Sequence, residues 1–374
     1  MGYSESADFT PWWTAGYGAR TYPVRRVILA VVHSVAAGER VSAAVQAIES
    51  EPGFQVVFTQ PPGPAEDLVR AYLGTIGALT TPWERVIRER FDLAVTADPA
   101  GAAMLNGPLL VLPEVSAEGA IVDHNGRCCV AAIVRLLRQR QAHPEPVLVG
   151  LPQLRALAWL RAEGPQLARH SVVVGDPGYD GLIRACRRQP RNRGGRQLGL
   201  VLSDRGPGSL FARTPALLRS LATALPARGT RLVCRLHPDV WARHGRRQLE
   251  AWAGEVVQER VEFLRPGNEW HVLAAQADFV VGDYGHDTAC AAAAGKPVYL
   301  ALPNEKTPTN SLAKAISEYG KVLNPGLPLA SQVRRTTRPS LPVVQQLTSG
   351  PGQSAFLLRT QCLRLMRFSG QADR

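Results

Sequence analysis

The chain has 374 residues, 45% of them apolar, and a formal charge of +12, so it is long enough for two cores of ordinary domain size. No stretch is an apolar run of membrane-spanning length, and the opening MGYSESADFT lacks the basic-then-apolar order of a secretory leader, so a cytoplasmic protein with no membrane insertion is expected. The excess charge is spread along the chain and is nearly all arginine, without aromatics interleaved in its densest part between Arg184 and Arg196, so nucleic acid is not an expected partner.

Residues 1–22 show no apolar period and read as an irregular arm carrying Trp12 and Trp13. From Val24 the run VRRVILAVVHS predicts a first strand, Val41 to Ile48 a helix, Phe54 to Thr59 a second strand and Ala65 to Ile76 a further helix. Strands are also predicted at Phe91 to Thr96, Pro108 to Leu112, Val147 to Gly150 and Ser171 to Gly175, with a helix at Cys129 to Arg140. Alternation of this kind predicts an α/β unit, a mostly parallel sheet covered on both faces, over residues 23–185. The arginine-rich and breaker-rich segment 186–196 reads as a linker.

A second alternation fills 197–340. Its predicted strands are 198–203, 231–236, 261–264, 278–281 and 297–301, and helices fit at Thr214 to Leu225, Arg247 to Val257 and Glu269 to Ala277. Residues 341–374 carry the periodicity of closing helices. Two doubly wound, Rossmann-like halves in succession place a cleft between the carboxyl ends of two parallel sheets. The cysteines at 128, 129, 186, 234, 290 and 362 have neither the mutual spacing of a zinc site nor that of a disulfide framework, so they read as reduced thiols, and neither a metal nor a cofactor is expected.

The segment from Asp278 to Leu302 is the most informative. An apolar strand ends at Gly282-Asp283, a permissive loop follows through Tyr284, Gly285, His286, Asp287 and Thr288, and an alanine-rich helix then runs to Gly295. The unpaired amides at the start of such a helix, together with its dipole, favour a phosphate or diphosphate at the strand's carboxyl end.

Arg235-Leu236-His237-Pro238 closes one strand of this half, and Gly282-Asp283-Tyr284 closes a later one. The pairing resembles the CDP-glycerol glycerophosphotransferases and, at greater distance, the UDP-N-acetylglucosamine 2-epimerase group, both of GT-B fold, over residues 196–305. The resemblance implies that Asp283, Tyr284, Gly285, His286, Asp287 and Thr288 surround a donor diphosphate, with His237 on a phosphate or the leaving group. It also implies that the loop Ser203-Asp204-Arg205-Gly206-Pro207-Gly208-Ser209 approaches the same diphosphate, chiefly through Ser203, Gly208 and Ser209, and that Glu269 touches the nucleotide's sugar or base.

The glycerophosphotransferase pattern has a His-Gly after a first-half strand, where this chain has Glu114-Val115. Candidates for the base are therefore Glu114, if burial raises its pKa, and His33 at the end of the first strand, with Glu118, Asp123 and His124 placed to share the role. The expected function is metal-independent transfer of a glycosyl or glycerophosphate-like group from a nucleotide-diphosphate-activated donor to a small-molecule acceptor. The alternative is a repurposed GT-B protein that binds a nucleotide or small metabolite.

Overall fold

Strand β1 (Arg26–Val31) sends Ile28 and Ala30 into one apolar cluster and Leu29 and Val31 into another. A strand buried on both faces belongs inside a parallel sheet flanked by helices. The computed structural model describes residues 24–141, 145–188, 197–225, 229–267, 270–303, 308–324, 327–333 and 339–369. The arm at 1–22, linker residues 189–196 and Glu269 lie outside them. Among the described residues no helix is long and apolar enough to cross a membrane.

The first sheet adds β2 (Phe54–Thr59), β3 (Leu93–Thr96) and β4 (Leu109–Val111) to β1. A small antiparallel hairpin follows, β5 (Glu114–Val115) with β6 (Ile121–Val122). Strands β7 (Val147–Leu151) and β8 (Ser171–Val173) then complete the parallel order β2-β1-β3-β4-β7-β8.

The second sheet comprises β9 (Gln197–Ser203), β10 (Thr230–Leu236), β11 (Val261–Phe263), β12 (Phe279–Gly282), β13 (Val298–Leu300) and β14 (Lys321–Val322). Its order is β11-β10-β9-β12-β13-β14, again with parallel neighbours. Leu200 and Leu202 of β9 enter one core and Val201 the other. Both sheets reverse their winding direction beside the first strand, between β1 and β3 and between β9 and β12. These are the switch points at which open α/β sheets present their loops to ligands.

Two helices cross between the halves. Helix Pro177–Arg188 continues through residues 186–188, which the sequence assigns to the linker, and its Tyr179 and Leu182 pack in the second half's core. Helix Ser354–Ser369 returns to the first half, where Leu358, Cys362, Leu365 and Met366 join the cluster around Ile28. Buried Asp180 ties the crossings together, accepting from the amides of Gly352 at 2.6 Å and Ser354 at 2.8 Å.

Candidate functional site

At the second switch point Asp283 follows β12 and braces the neighbouring loop. Its Oδ2 accepts from the amides of Asp204 at 2.8 Å and Leu210 at 2.9 Å, and its Oδ1 from that of Gly285 at 3.1 Å. Helix His286–Ala293 starts immediately afterwards, with Gly285 as N-cap and no side chain capping it. Its first-turn amides therefore have no side-chain acceptor. A β-carbon at Gly285 would lie 2.8 Å from the Asp204 side chain, and one at Gly282 would lie 2.3 Å from Thr288 Oγ1. Glycine at both positions lets the helix start press against the strand and loop. Thr288 Oγ1 is buried against Gly282 without a hydrogen-bond partner, an exception among buried hydroxyls.

This helix start opens on a cavity of about 390 Å³ between the halves. Arg205, from the loop after β9, reaches across it to Glu114 Oε2 at 2.8 Å and holds Asp239 Oδ2 at 2.7 Å in its own half. It also donates to the His124 carbonyl at 2.9 Å. Arg235, buried at the end of β10, bridges Asp287 Oδ2 at 2.7 Å and Glu39 Oε2 at 2.8 Å, with its guanidinium 5.1 Å from the Trp270 ring centre. Burial opposes the charge on Asp287, but Arg235 and His286 outweigh it and hold the carboxyl well below the usual range. His237 accepts from the Asp239 amide through Nδ1 at 3.2 Å, so its neutral ring carries the proton on Nε2.

The first half presents the hairpin β5–β6 and its own switch point. Glu114 is not the carboxylate of raised pKa that a general base requires: burial pushes upward, but Arg40 at 3.5 Å and Arg205 prevail and lower it. His33 donates from Nε2 to the Ala100 carbonyl at 2.9 Å, while its Nδ1 is buried without a partner and burial lowers its pKa. The next helix is capped by Ser34, whose Oγ accepts from the Ala37 amide at 3.2 Å. Stacked on His33 at 5.6 Å is His124, whose Nδ1 lies 2.6 Å from Oδ2 of buried Asp98. That hydrogen bond raises the pKa of His124 against the opposing effect of burial. Asp98 thus orients the His124 ring, whose Nε2 lies 2.9 Å from Asn125 Nδ2, and His33, Asp98 and His124 are not among the residues that line the cavity.

The solved structures similar to this chain include the wall teichoic acid polymerase TagF soaked with CDPG, with a TM-score of 0.55 at 10% identity over 92% of this chain and 90% of that one. The UDP-GlcNAc 2-epimerase from Methanocaldococcus jannaschii gives 0.52 at 10% identity over 90% and 99%, respectively. S. aureus MnaA in complex with UDP gives 0.50 at 13% identity over 93% and 97%. The chain has the GT-B fold. Sequence comparison matches neither a family model nor a curated protein.

Within this GT-B cleft, Ser203, His237, Asp283, Gly285, Asp287 and Thr288 line the cavity, as do Glu114, Glu118 and His286. Other predicted positions have structural duties. Ser203 Oγ accepts from the Phe211 amide at 3.0 Å, and Ser209 caps helix Leu210–Arg213. Tyr284 donates to the Leu302 carbonyl at 2.9 Å, and Asp123 Oδ1 accepts from the amides of Asn125 and Arg127, both at 2.9 Å. Gly208 is exposed, and a β-carbon there would meet nothing within 4 Å beyond its chain neighbours. Sequence reasoning missed Glu39, Arg40, Arg235 and Asp98 as site residues and did not single out Arg205. Arg235, beside His237, and Arg205, inside the glycine-containing loop, carried a local signal.

Proposed function

We propose that this chain binds a nucleoside-diphosphate-activated donor in the GT-B cleft and transfers its glycosyl or glycerophosphate-like group to a small acceptor. The observation that carries this reading is the uncapped start of helix His286–Ala293 opening on the interdomain cavity. The UDP bound to MnaA and the CDPG soaked into TagF support it, as ligands of proteins with this fold. The diphosphate would accept from the helix amides and would draw Arg205 and Arg235 away from their carboxylate partners. Donors fixed in place before the reaction stabilise charge as it develops on the leaving phosphate.

For the acceptor proton, the Asp98–His124 pair is the favoured base once an acceptor takes the place of Asn125 at Nε2: Asp98 fixes the ring, and the raised pKa gives the imidazole greater proton affinity than His33. A binding role without transfer is the second reading. Glu114 favours it, because a carboxylate held by two guanidiniums occupies the acceptor side of the cavity. A thermal-shift panel of nucleoside diphosphates and their sugar and glycerol conjugates tests both readings. A rise with at least one of them is expected, and donor turnover should fall at least tenfold in His124→Gln with the thermal shift retained. Absence of any shift would remove the transfer reading and nucleotide binding with it, and a shift without turnover across donors and acceptors would leave the second.

A further inference from the structure

The side chains of Asp176, His286 and Cys290 take no part in holding a diphosphate as described above, yet they converge on one point. His286 and Cys290 stand four residues apart on helix His286–Ala293, hence on one face of it. Asp176 arrives from the turn after β8. A carboxylate oxygen, an imidazole nitrogen and the sulfur all lie within 4.8 Å of one another. His286 Nε2 is 2.7 Å from Asp176 Oδ2, and Cys290 Sγ is 3.7 and 3.8 Å from the two ring nitrogens. The second oxygen of Asp176 accepts from the Tyr179 amide at 2.7 Å, the kind of outer hydrogen bond that orients metal ligands. Gly178 leaves room for both groups, since a β-carbon there would lie 3.2 Å from Asp176 Oδ1 and 3.3 Å from His286 Cε1.

We propose that Asp176, His286 and Cys290 form a binding site for a thiophilic divalent cation of the Zn²⁺ class in the wall of the cleft. Sulfur, nitrogen and oxygen donors together suit zinc, whose bonds of about 2.0–2.3 Å place tetrahedral donors roughly 3.2–3.7 Å apart. Cys290 Sγ, at 3.7 and 3.8 Å from the two ring nitrogens, stands at the upper edge of that spacing, and Asp176 Oδ2, 2.7 Å from Nε2, needs to retreat by about half an ångström. On binding, the thiol proton and the proton shared by His286 and Asp176 leave to water, and the sulfur coordinates as thiolate. Asp176 and His286 line the cavity, whereas Cys290 is fully buried behind them. The fourth position of the cation therefore faces the cleft, as in zinc sites that accept an exogenous ligand.

The test uses the full chain, stripped of metal with a chelator and titrated with Co²⁺ and with Zn²⁺ against a chromophoric competitor. One cation per chain is expected, with a thiolate-to-cobalt charge-transfer absorption that disappears in Cys290→Ser. Zn²⁺ affinity should fall at least tenfold in Asp176→Asn and remain unchanged in Cys128→Ser, which alters a surface thiol. No cobalt–thiolate absorption in the unaltered chain, its persistence in Cys290→Ser or its loss in Cys128→Ser would overturn the site. X-ray absorption of the unaltered zinc complex requires no variant to fold and must show one sulfur ligand; none, or more than one, also overturns it. Nucleoside-diphosphate binding by the metal-stripped chain is a separate measurement, so the two proposals can fail independently.

Discussion

A carboxylate that accepts several amide hydrogen bonds is ordinarily a stronger acid than a free one. Asp283 accepts from the amides of Asp204, Leu210 and Gly285, yet its pKa rises to about 6, because burial and then the neighbouring Asp204 outweigh the amides. The unfolded chain titrates near the ordinary 3.8. Between that value and about 6 the folded state binds more protons, so stability falls as pH rises through this window. Two pH units at about 1.4 kcal/mol each give a loss on the order of 2–3 kcal/mol. Denaturant unfolding of the wild type and Asp283→Asn at pH 4 and pH 7 should show a smaller difference between the two pH values in the variant; an equal difference would assign the effect elsewhere. Glu114 belongs to this scale too. It competes for Arg205 with any phosphate that enters the cleft, so Glu114→Gln should tighten nucleoside-diphosphate binding about tenfold, or 1.4 kcal/mol. Calorimetry showing equal or weaker binding would count against that exchange.

At the level of the element, the unit from β12 into helix His286–Ala293 depends on Gly285. Its φ of −76° is open to any residue, so the constraint is space: a methyl group would meet Asp204 at 2.8 Å. Gly285→Ala should therefore push the Asp204 loop away from the helix start and weaken nucleoside-diphosphate binding at least tenfold in titration, while the far-ultraviolet circular dichroism stays unchanged. This unit was legible in the sequence because its cues are local: an apolar run, a breaker pair and an alanine run. The strands were legible for the same reason, and β1, β2, β9 and β10 lie where apolar periodicity places them. Two-residue strands such as β5 and β6 offer no period to read. Helices Leu154–Glu163 and Pro177–Arg188 went unread, the second because Pro177 and Gly178 look like a turn although proline is well suited to a first helical position. The cleft's ion pairs join residues 91 and 196 positions apart, and Asp98 meets His124 because β3 lies beside β4, whose following hairpin leads into His124. No local spacing encodes either contact.

For the whole molecule, the link between the halves is partly ionic, and Arg235 is the member with most to lose. It is 4% exposed and holds Glu39 of the first half and Asp287 of the second on one guanidinium. Arg235→Leu would keep much of the packing against Trp270 while leaving two carboxylates near each other without their shared cation. Removing one partner of a buried ionic group costs about 3–5 kcal/mol, whereas removing the whole group together is often nearly neutral. Arg235→Leu alone should thus lower stability by roughly that amount. Adding Glu39→Gln and Asp287→Asn should recover more than half of the loss, with the wild type and both variants compared by denaturant unfolding at pH 7. Recovery follows if Arg235 acts chiefly by balancing the charges that meet across the cleft. A triple variant no more stable than Arg235→Leu would instead place the energy in the stacking on Trp270, and the halves would then be held by packing, with the ion pairs free to exchange for phosphate.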